Sequence, residues 1–306
     1  MIERVLDPDR IRQALALAED AEVRFEPLGL APTRPVLIRV AHDAGRALLV
    51  RPYPSADEAA ANLQVLTALA AVGFPHAPRA VAALEGYAVE AFEEGLTPLQ
   101  FTPAPAQWEA AIDALASLHE QGERAGRRWE QQPETLLPRT LPLFRLGFAR
   151  AERELAEPAL EEAARVLAAT PFGFVHGRLF ADAVTFGPGG PTFHDFAQAG
   201  YGAQLFDLAS LLATAGLPAA ERARLAERYG QRRSLPAAAE LADLATVVWG
   251  LRELIELPRR QVEVFGDDVA TEELVRMARN VERALRESAV EHPLARRIRD
   301  ALWGGH

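Results

Sequence analysis

The chain has 306 residues, 49% of them hydrophobic, which is enough to bury one large core or two smaller ones. Its 43 acidic residues outnumber its 33 basic residues, and the net charge of -10 argues against a general binder of nucleic acid, because a polyanion would be repelled. It contains no cysteine, which excludes disulfides, thiolate metal sites and cysteine nucleophiles. With a charged amino terminus and no apolar run of about 18 residues, we expect a soluble cytoplasmic protein with no membrane partner.

The basic residues are unusual in kind. Lysine is absent, so all 33 basic residues are arginine. Coding bias alone can produce such a composition. The absence nevertheless excludes any mechanism that requires a lysine, whether as a Schiff base or as a clamp on phosphates.

The first part of the chain is predicted to form a small α+β lobe, residues 1–95. The predicted elements are a helix at 8–19, strands at 34–40 and 47–51, a helix at 56–72 and a strand at 86–92. The helix at 56–72 places Leu63, Leu66 and Leu69 at helical spacing and ends at Gly73. The other segments are apolar-rich and bounded by turn residues, as is typical of strands.

Residues 96–306 are predicted to form a larger, mostly helical lobe. Helices are predicted at 108–121, 143–168, 218–230, 237–257 and 270–288. The segment 127–142 is rich in proline and arginine and is interpreted as an exposed connection.

A predicted hairpin interrupts these helices at 174–196, FVHGRLFADAVTFGPGGPTFHDF. Residues 183–186 and 191–196 form its strands, and 187–190 is a glycine-rich turn. The loop before the first strand and the acidic end of the second meet at one end of the hairpin. We therefore expect a ligand site there.

The motifs around this hairpin resemble those of the aminoglycoside phosphotransferase and choline kinase family. They are His176-Gly177, His194-Asp195-Phe196, the Gly-Tyr-Gly at 200–202, the Phe-Asp-Leu-Ala at 206–209, and a preceding helix that ends at His119. The resemblance runs from about residue 23 to beyond 250. It implies a bilobal α+β fold of the protein-kinase type, with a small β-rich amino-terminal lobe and a large helical carboxy-terminal lobe.

The resemblance also implies a chemistry that the sequence departs from. Phosphoryl transfer needs a carboxylate at the acceptor hydroxyl, oxygen ligands for magnesium and a cation on the nucleotide phosphates. The family's catalytic Asp falls at Arg178 and its metal-binding Asn at Ala183. Neither side chain can accept a proton from a hydroxyl or bind magnesium through oxygen. ATP and magnesium are the family's cofactors, and these substitutions argue against their use here.

The small lobe departs from the family in the same way. By resemblance, the strand-borne lysine falls at Arg51 and its helical glutamate partner at Asn62, with Glu58 nearby, while Glu90 and Phe92 fall at nucleotide-binding positions. The phosphate-covering loop, residues 26–35, has one glycine and three prolines. Proline lacks the backbone N–H groups that such a loop offers to phosphate.

Two interpretations are open for Asp195 and Arg178. Asp195 stands where the family keeps a metal ligand, and it either still binds a metal or pairs with Arg178, which then replaces the cation. Arg178 could instead hold a phosphate or carboxylate of a ligand, because a guanidinium fork suits such groups.

The remaining candidate residues have mainly structural interpretations. Asp182 is either a displaced general base or, as we favour, a solvated loop acid, and His176 either acts in catalysis or braces the loop. Asp207 is expected to accept hydrogen bonds from the loop backbone, by analogy with its family position. A metal pair of His194 and His119 has no supporting spacing.

Three functions follow from these readings. The first is a kinase-fold protein without phosphotransferase activity, acting as a binding or regulatory module. The second is an active ATP-dependent phosphotransferase of a small hydroxyl-bearing molecule, with Asp195 on magnesium, Arg51 on the phosphates and Asp182 near the acceptor. The third is an interaction protein whose cleft is filled by its own side chains. Neither a small-molecule nor a protein ligand is identified by the sequence.

Overall fold

A computed structural model gives the architecture of the chain. It describes residues 9, 12–13, 23–28, 37–42, 47–53, 55–84, 86–91, 97–98, 104–125, 150–265 and 272–304. Of the helix expected at 8–19, the described residues 9, 12 and 13 are helical. Phe92, most of the proline-rich loop and the connection at 127–142 lie outside the described residues.

The small lobe is built on a five-stranded antiparallel sheet with the order β1-β2-β3-β5-β4. Its strands are β1 (Val23–Leu28), β2 (Leu37–His42), β3 (Ala47–Pro52), β4 (Ala80–Leu84) and β5 (Tyr87–Ala91). β3 lies in the middle and pairs with β5, with Leu49 opposite Glu90 and Arg51 opposite Ala88. Paired residues of antiparallel strands share a face, so Arg51 and Glu90 lie on the same side of the sheet.

Helix α1 (Ala56–Ala71) follows β3 directly. Ser55 caps its amino terminus by accepting a hydrogen bond from the Glu58 N–H at 3.2 Å. Its buried stripe is Ala59, Asn62, Leu63, Leu66 and Leu69. The stripe has the expected helical spacing but carries one amide, Asn62, among apolar side chains.

The larger lobe is mostly helical. Its helices are α2 (Pro105–Gln121), α3 (Arg150–Ala168), α4 (Leu205–Thr214), α5 (Ala219–Arg233), α6 (Ala238–Phe265), α7 (Glu272–Arg286) and α8 (Pro293–Trp303). Five of these correspond to the predicted helices, while α4 and α8 were not predicted. Helix α4 is buried on almost all sides, so it has no apolar period to detect, and α8 is short.

Two small sheets carry the hairpin. β6 (Thr97–Pro98), β8 (Val184–Gly187) and β9 (Gly190–Phe193) form one, and β7 (Phe172–Val175) pairs with β10 (Gly200–Ala203) in the other. The returning strand β9 ends at Phe193, three residues earlier than predicted. Asp195 has a left-handed backbone with φ 68°, which no strand can accommodate, and a 3₁₀ turn (Phe196–Gln198) follows it.

One apolar cluster extends through both lobes, from Leu63 and Leu66 of α1 to Ile298 and Leu302 of α8. The fold is thus a bilobal α+β fold, with a sheet-based small lobe and a mostly helical larger lobe that share this apolar cluster. In the described part of the chain, no helix is both long and apolar enough to cross a membrane.

Candidate functional site

The loop after β7 is held by Asp207, at the start of α4. One carboxylate oxygen accepts a hydrogen bond from the His176 N–H at 2.6 Å, and the other accepts from the Gly177 N–H at 3.0 Å. Gly177 has φ 81°, and a Cβ there would collide with the Gln198 carbonyl. The expectation that Asp207 anchors the loop backbone is confirmed.

His119 at the end of α2 completes this anchor. Its Nε2 lies 3.1 Å from Asp207 Oδ2, and its Nδ1 lies 2.7 Å from the Tyr229 hydroxyl. Burial lowers the pKa of His119, although Asp207 opposes this effect. A neutral ring therefore donates from Nε2 to Asp207 and accepts from Tyr229.

His176 braces the loop against the residues that directly follow β9. It is fully buried, its Nε2–H donates to the His194 carbonyl at 2.9 Å, and its ring packs on Phe196 with centroids 4.7 Å apart. These contacts fit the structural role expected for it. His194 itself contacts Thr185, with Nε2 and Oγ1 2.7 Å apart.

Arg178 and Ala183 occupy the two positions where the resemblance places catalytic groups. Arg178 is half-buried, and its guanidinium lies 5.2 Å from the centre of the Phe180 ring, a cation–π contact. Phe180 in turn packs edge-on against Trp249 of α6 at 6.0 Å. Ala183 is fully buried, and its carbonyl accepts from the His194 N–H at 2.8 Å. The loop therefore carries a half-buried arginine at position 178 and a buried methyl group at position 183.

Asp182 is not the solvated loop acid that we expected. It is only 5% exposed and lies in a 3₁₀ turn (Ala181–Ala183) whose three residues are all buried. The turn directs the chain inward just before β8, which removes this side chain from solvent. The displaced-base role remains a prediction.

Asp195 is also buried, and its charge acts on two residues of the small lobe. It adds to the effect of Glu90 in raising the pKa of Arg51 in β3 against burial, and it helps to raise the pKa of Glu58 in α1. For Glu58 the larger cause is partial burial, and Arg178 acts in the opposite direction. The charges of Asp195 and Arg178 thus both act on Glu58. A direct ion pair between Arg178 and Asp195 stays a prediction.

The residues at this site do not fit a magnesium ion. Magnesium prefers several oxygen ligands in octahedral geometry. Asp195 is an acid at one family ligand position, but Ala183 supplies no oxygen at the other. Across the described ranges, no three His, Asp or Glu side chains gather closely enough to hold a metal ion. His119 contacts Asp207 and Tyr229, and His194 contacts Thr185.

Arg51 is engaged by an acid from its own sheet. Its Nε donates to Glu90 Oε1 at 3.4 Å, and both side chains are almost fully buried. Burial alone would lower the pKa of Arg51, but the charges of Glu90, Tyr53 and Asp195 together with the hydrogen bond to Glu90 outweigh it, and the pKa is raised. Burial alone would raise the pKa of Glu90, but Arg51 and then His194 and Asn62 lower it to about 2. Both groups are therefore ionised at neutral pH.

Asn62 joins this pair to the turn after Asp195. Its Nδ2–H donates to Glu90 Oε1 at 2.8 Å, and its Oδ1 accepts from the Phe196 N–H at 2.8 Å. The structure thus brings Arg51, Asn62 and Glu90 together, as expected of one site. Their role toward a nucleotide stays a prediction, and Phe92 is outside the described residues.

Sequence reasoning missed two contributors. Tyr229 carries no motif, and only the fold brings α5 beside His119. The contact between Thr185 and His194 depends on the hairpin register. A signal was present for Asn62, because an amide within the apolar stripe of α1 needs a buried polar partner.

Comparison with known proteins supports the fold. A protein from Mesorhizobium loti of the choline/ethanolamine kinase family is 14% identical with a TM-score of 0.68, over 97% of this chain and 99% of its own. The choline kinase LicA from Streptococcus pneumoniae is 15% identical with a TM-score of 0.62, over 90% of this chain and 97% of its own. The ethanolamine kinase of Plasmodium vivax is 12% identical with a TM-score of 0.57, over 92% of this chain and 84% of its own.

Comparison by sequence finds a matching family model but no matching curated protein. The model of the phosphotransferase enzyme family, APH, matches residues 36–244. This range includes Arg51, the anchored loop and Asp207, and it is more than half of the chain, so the protein belongs to the phosphotransferase enzyme family.

Proposed function

We propose that this chain is a kinase-fold protein that acts as a binding or regulatory module and does not transfer phosphate. One observation carries the proposal: the catalytic-type loop keeps its anchor on Asp207, while positions 178 and 183 carry Arg and Ala. The shape of the loop is thus preserved without its acid and without its metal ligand. A binding function needs the shape, whereas catalysis needs the missing groups.

The expected loss of rate is large. Removal of a general base alone typically costs about 10²–10⁴ in rate. Here a metal ligand and the phosphate-binding lysine are replaced as well, although such losses do not simply multiply. Arg51 stands at the lysine position, but it is buried and bound to Glu90.

The alternative is an active ATP-dependent phosphotransferase of a small hydroxyl-bearing molecule with a rearranged site. One observation favours it, the left-handed backbone of the buried Asp195. Strained residues of this kind often cluster at active sites. LicA, whose fold this chain shares, has been solved with AMP, which makes the nucleotide site the place to test.

An assay of ATP consumption with choline and an aminoglycoside as acceptors tests the proposal. We expect no turnover by the wild type, and turnover by the double variant Arg178→Asp, Ala183→Asn, which restores the two missing groups. Arg165→Asp changes an exposed arginine of α3 and serves as the charge-matched control. Wild-type turnover that disappears in Asp195→Asn would overturn the proposal and favour the alternative.

A further inference from the structure

Asn62 lies where three parts of the molecule meet. It belongs to α1, its amide donates to Glu90 on β5, and its carbonyl accepts from Phe196 beside the hairpin. The side chain has no exposed surface, so water does not compete for either bond. A single amide therefore links the sheet and α1 of the small lobe to a turn of the larger lobe.

The bond toward the sheet is a strong one. Glu90 is ionised and fully buried, and Arg51 holds its carboxylate in place from β3. A hydrogen bond to a charged acceptor in a buried environment is stronger than one between neutral groups. The position of Asn62 relative to the sheet is thus fixed by two strands.

The bond toward the larger lobe has a companion at the far end of α1. His76, shortly after the helix, donates from Nδ1–H to the Pro191 carbonyl at 2.9 Å. Its own carbonyl accepts from the Phe193 N–H at 2.8 Å. The helix is therefore attached to the segment at 191–196 both at Asn62 and beyond its carboxyl end. Two separated attachments oppose rotation about either one.

We propose that Asn62 is a latch that holds α1 and the sheet against the turn at Asp195-Phe196 with no nucleotide bound. The chain's own carboxylate, Glu90, supplies the anion that Arg51 binds. The relative position of the lobes is then set by internal contacts, and ATP has no further closure to drive. This inference goes beyond the proposed function and does not depend on whether the chain transfers phosphate.

Amide hydrogen exchange on the full chain, with and without ATP, tests the latch. In the wild type we expect the Phe196 amide to be protected and its exchange rate to be unchanged by ATP. Asn62→Leu removes both bonds at similar volume and should speed exchange at Phe196 by at least about tenfold. Asn62→Asp keeps the acceptor for Phe196 but repels Glu90, so it should lose protection in β5 first.

The matched control is Asn280→Leu. Asn280 bridges α7 to the Thr214 carbonyl within the larger lobe, so its loss should leave exchange at Phe196 unchanged. The latch would be overturned if the Phe196 amide of Asn62→Leu exchanged as slowly as it does in the wild type. It would also be overturned if ATP markedly slowed exchange of the Phe196 amide in the wild type. If Asn62→Leu does not fold, Asn62→Asp decides instead: faster exchange in β5 than in the wild type supports the latch, and wild-type exchange there overturns it. Phosphate turnover is not a readout here, so this test and that of the proposed function fail separately.

Discussion

At the scale of single residues, Asp207 accepts hydrogen bonds from two loop amides and from His119. Asp207→Ala leaves three donors without an acceptor, two of them buried and the Gly177 N–H partly exposed, and each buried one costs about 1–3 kcal/mol. We therefore predict that it lowers the free energy of unfolding by about 3–5 kcal/mol in urea titrations. Asp207→Asn keeps one side-chain oxygen as an acceptor, so its free energy of unfolding should fall by clearly less. A loss below about 1 kcal/mol in Asp207→Ala would show that the anchor is dispensable.

His119 makes stability depend on pH. Its folded pKa is lowered by burial, so the unfolded state takes up the proton first as pH falls below the ordinary value of 6.5. The stabilisation is fully present above that pH and is lost as pH falls toward the folded pKa. We predict a decline from this group of up to about 1.4 kcal/mol per pH unit in that window.

The comparison that isolates this effect is wild type against His119→Gln, with unfolding measured between pH 7.5 and 5.5, a window chosen to bracket the ordinary histidine pKa. The variant should be less stable at the upper end and should lose stability less steeply as pH falls. Parallel profiles for the two proteins would contradict a neutral, buried His119.

At the scale of elements, one buried ion pair docks α8 onto α6. Arg299 donates to Asp243 from both terminal nitrogens and also bonds the Leu285 carbonyl at the end of α7. Asp243→Ala leaves the buried Arg299 with the partly exposed Glu291 as its remaining ion-pair partner among the described residues, and we predict a loss of up to about 3–5 kcal/mol in unfolding free energy. Asp113→Ala removes one of the two carboxylate partners of Arg228 between α2 and α5, where the pair is partly exposed, and should cost less than about 1 kcal/mol. Equal losses in the two variants would refute this ranking.

The elements also show what the sequence could predict. Helices with a clear apolar stripe were found within a few residues, as for α1 and α5, because periodicity reports burial on one face. β4 is alanine-rich and α4 is buried all round, so neither has a diagnostic pattern. At the site, Asp207 and His176 followed from motifs, whereas the partners Tyr229 and Glu90 depend on tertiary packing across the fold.

At the scale of the whole molecule, the fold is that of the phosphotransferase family, while one buried arginine of the small lobe is bound by a carboxylate of the chain itself. Arg51 is bound to Glu90, and Asn62 connects the small lobe to the turn at Phe196. The loop at 176–178 keeps its backbone anchor but carries an arginine where the family resemblance places the catalytic acid. Under the proposed function, the molecule does not need magnesium at the site.

Calorimetric titration of the purified protein with ATP, with and without magnesium, tests this account most directly. The account predicts that magnesium does not create or strengthen binding, because Ala183 offers no oxygen ligand beside Asp195. Weak binding that is the same with and without magnesium is compatible with an arginine holding the phosphates. ATP binding that requires magnesium, and that disappears in Asp195→Asn, would contradict the account and show that Asp195 still holds a metal.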